Sequence, residues 1–211
     1  PNDYNVGMTH GLNMLNIMNP DGSINFNAPE QYVGLTREDA RKKIINDLDI
    51  EGALLKEEDY VHKVGYSERG DVPIEYYLSN QWFLKMKELA KPASDVVKSG
   101  EIKFYPNHWV KTYNHWMDNI QDWCISRQLY WGHRIPVWYK KGSDHTNEDN
   151  WHVSLTPPSD IENWEQDSDV LDTWFSSWLW PFGVHGWPNN KKLVKQYYPT
   201  YILVTGPDII F

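Results

Sequence analysis

The sequence predicts a mixed α/β chain, and three local patterns carry that prediction. Thr36 precedes a run with apolar residues at Ala40, Ile44, Ile45 and Leu48, a helical spacing that Gly52 ends. Two further helical stretches lie within Met86 to Ser99 and from about Thr112 to Ser126. Short β-rich runs, Ile135-Pro136-Val137-Trp138-Tyr139 and Tyr201 to Thr205, read as strands.

Residues 1–35 are rich in Gly, Asn and Pro and read as loop, with a turn at Asn19-Pro20-Asp21-Gly22. Leu15-Asn16-Ile17 and Ile24-Asn25-Phe26 can pair across that turn as a short hairpin. Thr36 suits an N-cap because its hydroxyl can take an orphan first-turn N–H, and Asp39 stands three residues on. That helix runs to about Glu51. From Tyr60 to Phe83 the pattern is irregular and strand-like, a return path between two bodies. Pro92 enters or kinks the second helix, since proline lacks the N–H, and Gly100 stops it. Tyr113, Trp116, Ile120 and Trp123 share one face of the third, with Cys124 a small packing residue on it. Residues 140–167 are polar and turn-rich and read as an insertion. Trp174 to Trp180 reads as a helix or tight turn, and Tyr201 to Thr205 as a buried strand.

Composition narrows the classes. With 211 residues, 40% apolar and 23% charged, the chain can bury a core and fits a folded protein. Twelve Trp are far above ordinary usage and imply packed or pocket-lining indoles. The single cysteine, Cys124, excludes an internal disulfide and leans toward a reducing compartment. No run approaches the roughly 20 apolar residues of a membrane span. A net charge of −9 works against a free-standing nucleic-acid binder, so any nucleic-acid contact should be local or supplied mainly by other parts of a longer protein. The acids at Glu57-Glu58-Asp59 and Glu148-Asp149 read as solvated surface. The chain opens at Pro1-Asn2-Asp3 and stops inside Ile209-Ile210-Phe211, and both ends read as cuts through a longer protein.

The stretch Asp169-Val170-Leu171-Asp172-Thr173-Trp174-Phe175-Ser176-Ser177-Trp178-Leu179-Trp180-Pro181 sets two acids beside four large aromatics. A charged edge against an apolar wall suits a pocket that grips a small ligand's charged end and sizes its apolar end. Upstream lies Asp122-Trp123-Cys124-Ile125-Ser126-Arg127-Gln128-Leu129-Tyr130-Trp131-Gly132-His133-Arg134-Ile135-Pro136, and downstream Leu203-Val204-Thr205-Gly206-Pro207-Asp208-Ile209. Together, in this order, the three resemble the valyl branch of the class I aminoacyl-tRNA synthetases, which join an amino acid to its tRNA. The resemblance covers nearly the whole chain and is strongest from Val72 to Trp138 and from Ser168 to Phe211. Ser176-Ser177 stands where isoleucyl enzymes tend to carry Asp and Gly. Leucyl enzymes lack the Leu-Asp-Thr-Trp wording and usually read Arg-Tyr-Trp-Gly where this chain has Leu129-Tyr130-Trp131-Gly132.

The resemblance implies part of a doubly wound nucleotide-binding catalytic core, with the site at the carboxyl ends of parallel strands. It implies four segments: residues 1–62 as the end of an editing insertion, 63–137 as the return into the core, 138–167 as a polar insertion, and 168–211 as the segment bearing the amino-acid pocket. Trp174 matches the tryptophan flanking the valine side chain, Asp208 the acid that takes the substrate ammonium, and Ile209 the wall residue beside it. Taken without the family, Trp174 reads as core and Asp208 as a turn or cap residue. Asp3, in Pro1-Asn2-Asp3-Tyr4, matches the editing-site acid that anchors the ammonium of a mischarged amino acid; without the family it is a helix cap. Arg127, Gln128, Trp131, Gly132 and His133 are implied to belong to the core framework, with no individual role assigned. From the residues alone, Trp131 also reads as packing and Arg127 as a structural salt bridge.

The implied activity is ATP-dependent valylation of tRNA through valyl-adenylate, with hydrolysis of threonyl-tRNA. The implied partners are valine, ATP with Mg2+ and valine tRNA, in the cytoplasm, with no membrane and no required oligomer. Editing is expected because an apolar pocket rejects an isostere that only adds a hydroxyl weakly, threonine against the valyl enzyme being the standard illustration. The family's ATP signatures, His-x-Gly-His and Lys-Met-Ser-Lys-Ser, do not occur in the chain. Isolated, it is therefore expected to be inactive. Residues 140–167 contain no cysteine, which excludes a thiolate zinc site there. Two other readings stay open: an isoleucyl or leucyl relative, and a non-catalytic relative that binds tRNA or a protein.

Overall fold

A computed structural model describes residues 2–68 and 70–210. It is a mixture of helices and small antiparallel sheets, and the chain divides into two compact units, Pro1–Ser79 and Asn80–Phe211.

The first unit opens with helix α1, Asn2–His10, where the sequence reads as loop. The expected turn forms at Asn19 to Gly22: the Gly22 N–H donates to the Asn19 carbonyl at 2.9 Å. The hairpin across it is reduced to one bridge, Met18 with Ile24. Asn25, 8% exposed, explains why the ladder stops: its Nδ2 donates to the carbonyls of Asn16 and Met18, both at 3.0 Å. A side chain there does what a second strand's backbone would. Helix α2, Arg37–Ile50, matches the sequence reading. Thr36 accepts the Asp39 N–H at 3.1 Å and Ala40 is buried. After Ile50, Gly52 adopts φ 68°, a left-handed value that ends a helix readily only at glycine. From there to residue 79 the described residues are irregular, with a bridge between Tyr66 and Pro73 in place of the strand-like path expected.

The second unit starts with β1, Phe83–Leu84, followed by α3, Lys87–Lys98, and α4, Trp109–Asp118. Ala90, Ser94 and Val97 form the buried stripe of α3, spaced by four and three residues. Pro92 lies inside it, where proline removes one intrahelical hydrogen bond. The two helices pack together, with the Tyr113 hydroxyl donating to the Ala93 carbonyl at 3.0 Å.

The third helix is shorter than the sequence suggests. Asn119 caps α4 by donating its Nδ2 to the His115 carbonyl at 2.7 Å. Residues 123–124 form β2, Trp123–Cys124, antiparallel to β1 with Phe83 opposite Cys124. Cys124 therefore sits in a strand, not on a helix. Trp116 and Trp123 are seven residues apart, a spacing that reads as helical but here spans a helix end and a strand.

Next come β3, Ser126–Arg127; β4, Val137–Lys140; β5, Trp151–Val153; β6, Trp164–Gln166; and β7, Val170–Leu171. The segment read as an insertion folds back on β4, giving a three-stranded antiparallel sheet in the order β5-β4-β6. Cross-strand neighbours knit it: Tyr139 faces Trp151, an aromatic pair, and Lys140 faces Trp164. β3 pairs antiparallel with β7, Arg127 opposite Val170. Ile135, Val137, Val170 and Ser126 are the most buried residues here, between 2% and 4% exposed.

Three short helices follow: α5, Thr173–Ser177; α6, Trp180–Gly183; and α7, Lys191–Tyr197. The expected buried strand at Tyr201 to Thr205 is absent; Ile202, Leu203 and Val204 are 79–89% exposed. A parallel strand is buried by neighbours on both faces, and among the described residues no strand pairs with this run. No described helix is long and apolar enough to cross a membrane.

Candidate functional site

The β3–β7 pair builds the site. Leu171 donates its N–H to the His133 carbonyl at 2.8 Å, and Asp172 donates its own to the Ile125 carbonyl at 2.7 Å. The chain then turns into α5 with Asp172 as N-cap, its Oδ1 accepting the Trp174 N–H at 2.8 Å. The other carboxylate oxygen, Oδ2, accepts from Arg127 Nη2 in an ion pair. Arg127 Nη1 meanwhile donates to the carbonyls of Cys124 and Ser126 at 2.7 and 2.9 Å. One guanidinium thus ties two backbone carbonyls to the acid that starts α5.

Packing fixes the other side of α5. Trp123 stacks in a tilted fashion on Phe175 and Trp178, ring centroids 6.0 and 4.9 Å away. Trp174 itself keeps a 46% exposed side chain, and no ring contact among the described residues involves it. A helix so anchored presents the Trp174 indole half-exposed.

Asp208 and Ile209 lie elsewhere in the same unit, on a 3-10 turn, Pro207–Ile209. Asp208 is exposed and Ile209 is 54% exposed. No hydrogen bond, ion pair or ring contact among the described residues joins them to Trp174. Asp208 stands after an irregular exposed segment, not at a strand end as expected. Asp3 occupies the first turn of α1 in the first unit, exposed, where the helix dipole favours a carboxylate.

The remaining framework residues divide by role. Gln128 Nε2 donates to Gln81 Oε1 at 3.0 Å and to Asp169 Oδ2 at 2.6 Å, bridging the start of the unit to the end of its strand region. Gly132 has φ 156°, and a Cβ there would lie 2.8 Å from Cβ and Cγ2 of Val170, so both backbone and space require glycine. His133 contributes its carbonyl to the strand pairing. Trp131 is 88% exposed, which corrects the reading of it as packing within this chain.

Several structural partners carry no signal in the sequence. Ser126, 2% exposed, donates its hydroxyl to Gln81 Oε1 at 2.6 Å and accepts the Trp82 N–H at 2.9 Å. Asp167 Oδ2 accepts both the Trp82 indole N–H at 2.8 Å and the Tyr139 hydroxyl at 2.7 Å. Burial, reinforced by that hydrogen bond to Asp167, holds the Tyr139 phenol well above the usual tyrosine range. Gln81, Trp82, Tyr139 and Asp167 line a cleft of about 470 Å³ with Trp151 and His145, and Trp174 is not among its lining residues. Asp172 did have a legible signal: Asp before Thr-Trp-Phe-Ser-Ser is an N-cap pattern. Among the described residues, no group of three or more His, Cys, Asp or Glu is placed to hold a metal ion.

Comparison with known proteins follows the same outline. Residues 4–211 match the family described as tRNA synthetases class I (I, L, M and V). The chain is 54% identical over 213 residues to a valine–tRNA ligase of Geobacillus kaustophilus, covering 100% of the chain and 24% of the relative. It is 52% identical to the corresponding ligase of Treponema denticola over 211 residues, 100% of the chain and 23% of the relative. For that of Clostridium tetani the identity is 53%, over 100% of the chain and 24% of the relative. The chain thus spans about a quarter of the length of the curated relatives it matches. A match along almost its whole length, with relatives above half identity, shows that the chain belongs to the class I tRNA synthetases (I, L, M and V).

Proposed function

We propose that the chain is a working part of a valine–tRNA ligase, the part that carries the wall of the amino-acid pocket and the end of the editing insertion. The observation that carries this reading is α5, which keeps the Trp174 indole half-exposed, with no ring contact among the described residues, on a helix pinned at its N-cap. A rigid indole limits the room beside a branched side chain, and discrimination by one methylene rests on such limits. The name shared by the relatives, valine–tRNA ligase, selects valine among the family's amino acids.

In this reading Trp174 and Ile209 flank the side chain of valine, and Asp208 accepts hydrogen bonds from its ammonium. Residues 168–211 form the pocket segment, 138–167 the polar insertion, 63–137 the return into the core, and 1–62 the end of the editing insertion, where Asp3 anchors the ammonium of a threonyl ester. The full-length protein activates valine with ATP and Mg2+, passes it to tRNA in the cytoplasm, and hydrolyses threonyl-tRNA. ATP is met by segments bearing the family's two signatures, which this chain lacks. The chain by itself therefore catalyses neither step.

The test is amino-acid-dependent pyrophosphate exchange by the full-length protein. Valine should drive exchange far better than isoleucine or leucine, and the 211-residue chain alone should show none. Preference for isoleucine or leucine would replace this reading with that of the corresponding relative.

A further inference from the structure

We infer that Arg127 and Asp172 are specificity-positioning residues: their ion pair sets the angle at which Trp174 meets the amino-acid side chain. The inference rests on the pocket reading of Trp174 and deepens it. Asp172 has two tasks divided between its two oxygens. Oδ1 caps α5 through the N–H of Trp174 itself, at 2.8 Å, and Oδ2 receives Arg127 Nη2. The backbone of the pocket residue is thus one hydrogen bond from the carboxylate, and the carboxylate is one ion pair from β3.

Arg127 is fixed in turn. Its other terminal nitrogen spans the carbonyls of Cys124 and Ser126, and its backbone is in register with Val170. The Asp172 side chain is only 16% exposed and that of Arg127 37%, so water competes poorly for the carboxylate. A lysine could supply charge but not the fork that reaches carbonyls and carboxylate together. The helix has five residues, too few to be rigid alone. Its direction comes from this clamp on one side and from Trp123 against Phe175 and Trp178 on the other. Neither member of the pair touches the amino acid; each acts through Trp174.

The experiment is valine-dependent pyrophosphate exchange in the full-length protein carrying Arg127→Gln, Asp172→Asn, Trp174→Ala, or Arg127→Gln with Trp174→Ala. Arg127→Gln and Asp172→Asn should raise KM for valine about tenfold, the scale of one charge-assisted hydrogen bond. KM for ATP should stay within about twofold, a split that general damage to the fold would not produce. The double variant should match Trp174→Ala within about twofold, because both changes act on one indole. If Arg127→Gln does not fold, Arg127→Lys takes its place, with a smaller rise in the same constant. Equal rises in both KM values, no rise in KM for valine, or multiplying effects in the double variant would overturn the inference while leaving the pocket reading intact. If Trp174→Ala leaves KM for valine unchanged, the pocket reading itself falls and takes the inference with it.

Discussion

Tyr139 donates its hydroxyl to Asp167 Oδ2 at 2.7 Å, and the Trp82 indole N–H meets the same oxygen at 2.8 Å. The three residues come from the start of the second unit, from β4, and from the link between β6 and β7. One carboxylate therefore joins segments 85 and 28 residues away in the chain. Removing the carboxylate strands three part-buried donors, the Asp169 N–H on Oδ1 among them, whereas removing one donor leaves the acceptor with other partners. Asp167→Ala should cost about 2–4 kcal/mol and Tyr139→Phe about 1 kcal/mol. Urea unfolding followed by tryptophan fluorescence checks the order, which equal or reversed losses would contradict.

The same pair makes an alkaline prediction. Folding raises the Tyr139 pKa, through burial first and the Asp167 hydrogen bond second. Its contribution is therefore fully present below the ordinary tyrosine pKa of about 10 and is lost as pH rises beyond it toward the folded value. The urea midpoint should fall above about pH 10, and Tyr139→Phe should flatten that fall. An unchanged alkaline slope in the variant would place the effect on other groups.

Gly132→Ala tests the close approach of the segment between β3 and β4 to β7. The new Cβ would sit 2.8 Å from Val170 Cβ and Cγ2 at φ 156°. Overpacking and backbone strain together should cost about 2–5 kcal/mol. Val170→Ala in the same molecule removes the Cγ1 and Cγ2 contacts but keeps Cβ, so it should recover only part of that loss. Thermal unfolding of the two variants side by side decides it, and no recovery would mean that backbone strain and the Cβ contact dominate.

The editing assignment has its own readout. In the full-length protein, Asp3→Ala should leave valylation near normal and allow threonyl-tRNA to accumulate. Acid-gel analysis of tRNA charged with threonine measures this. Absence of mischarged product would leave Asp3 as a first-turn carboxylate of α1 and nothing more.

How much of this was legible depends on whether the cause is local. Thr36, Asp39 and Gly52 announce α2 because cap chemistry acts within a few residues. Gly100, at φ 78°, marks the end of α3 in the same way, whereas Pro92 lies inside that helix and not at its start. The end of α4 does not show in the sequence because Trp116 and Trp123 keep a helical spacing across a break that Asn119 makes with its own side chain. The run Tyr201 to Thr205 reads as a buried strand from its side chains, yet burial is decided by what lies beside it. In the site, the residue types Trp174, Asp208 and Arg127 stood out in their motifs. The link from Arg127 through Asp172 to Trp174 did not, since it depends on strand pairing between residues more than 40 positions apart. Asp167 was invisible for the same reason.

The most direct measurement is KM for valine in pyrophosphate exchange by the full-length protein with Asp208→Asn, beside KM for ATP. The variant keeps shape and loses the charge that would meet the ammonium. KM for valine should rise on the order of 100-fold while KM for ATP stays within about twofold. An unchanged KM for valine, or exchange driven better by another amino acid, would contradict the assignment of this chain to the valine pocket.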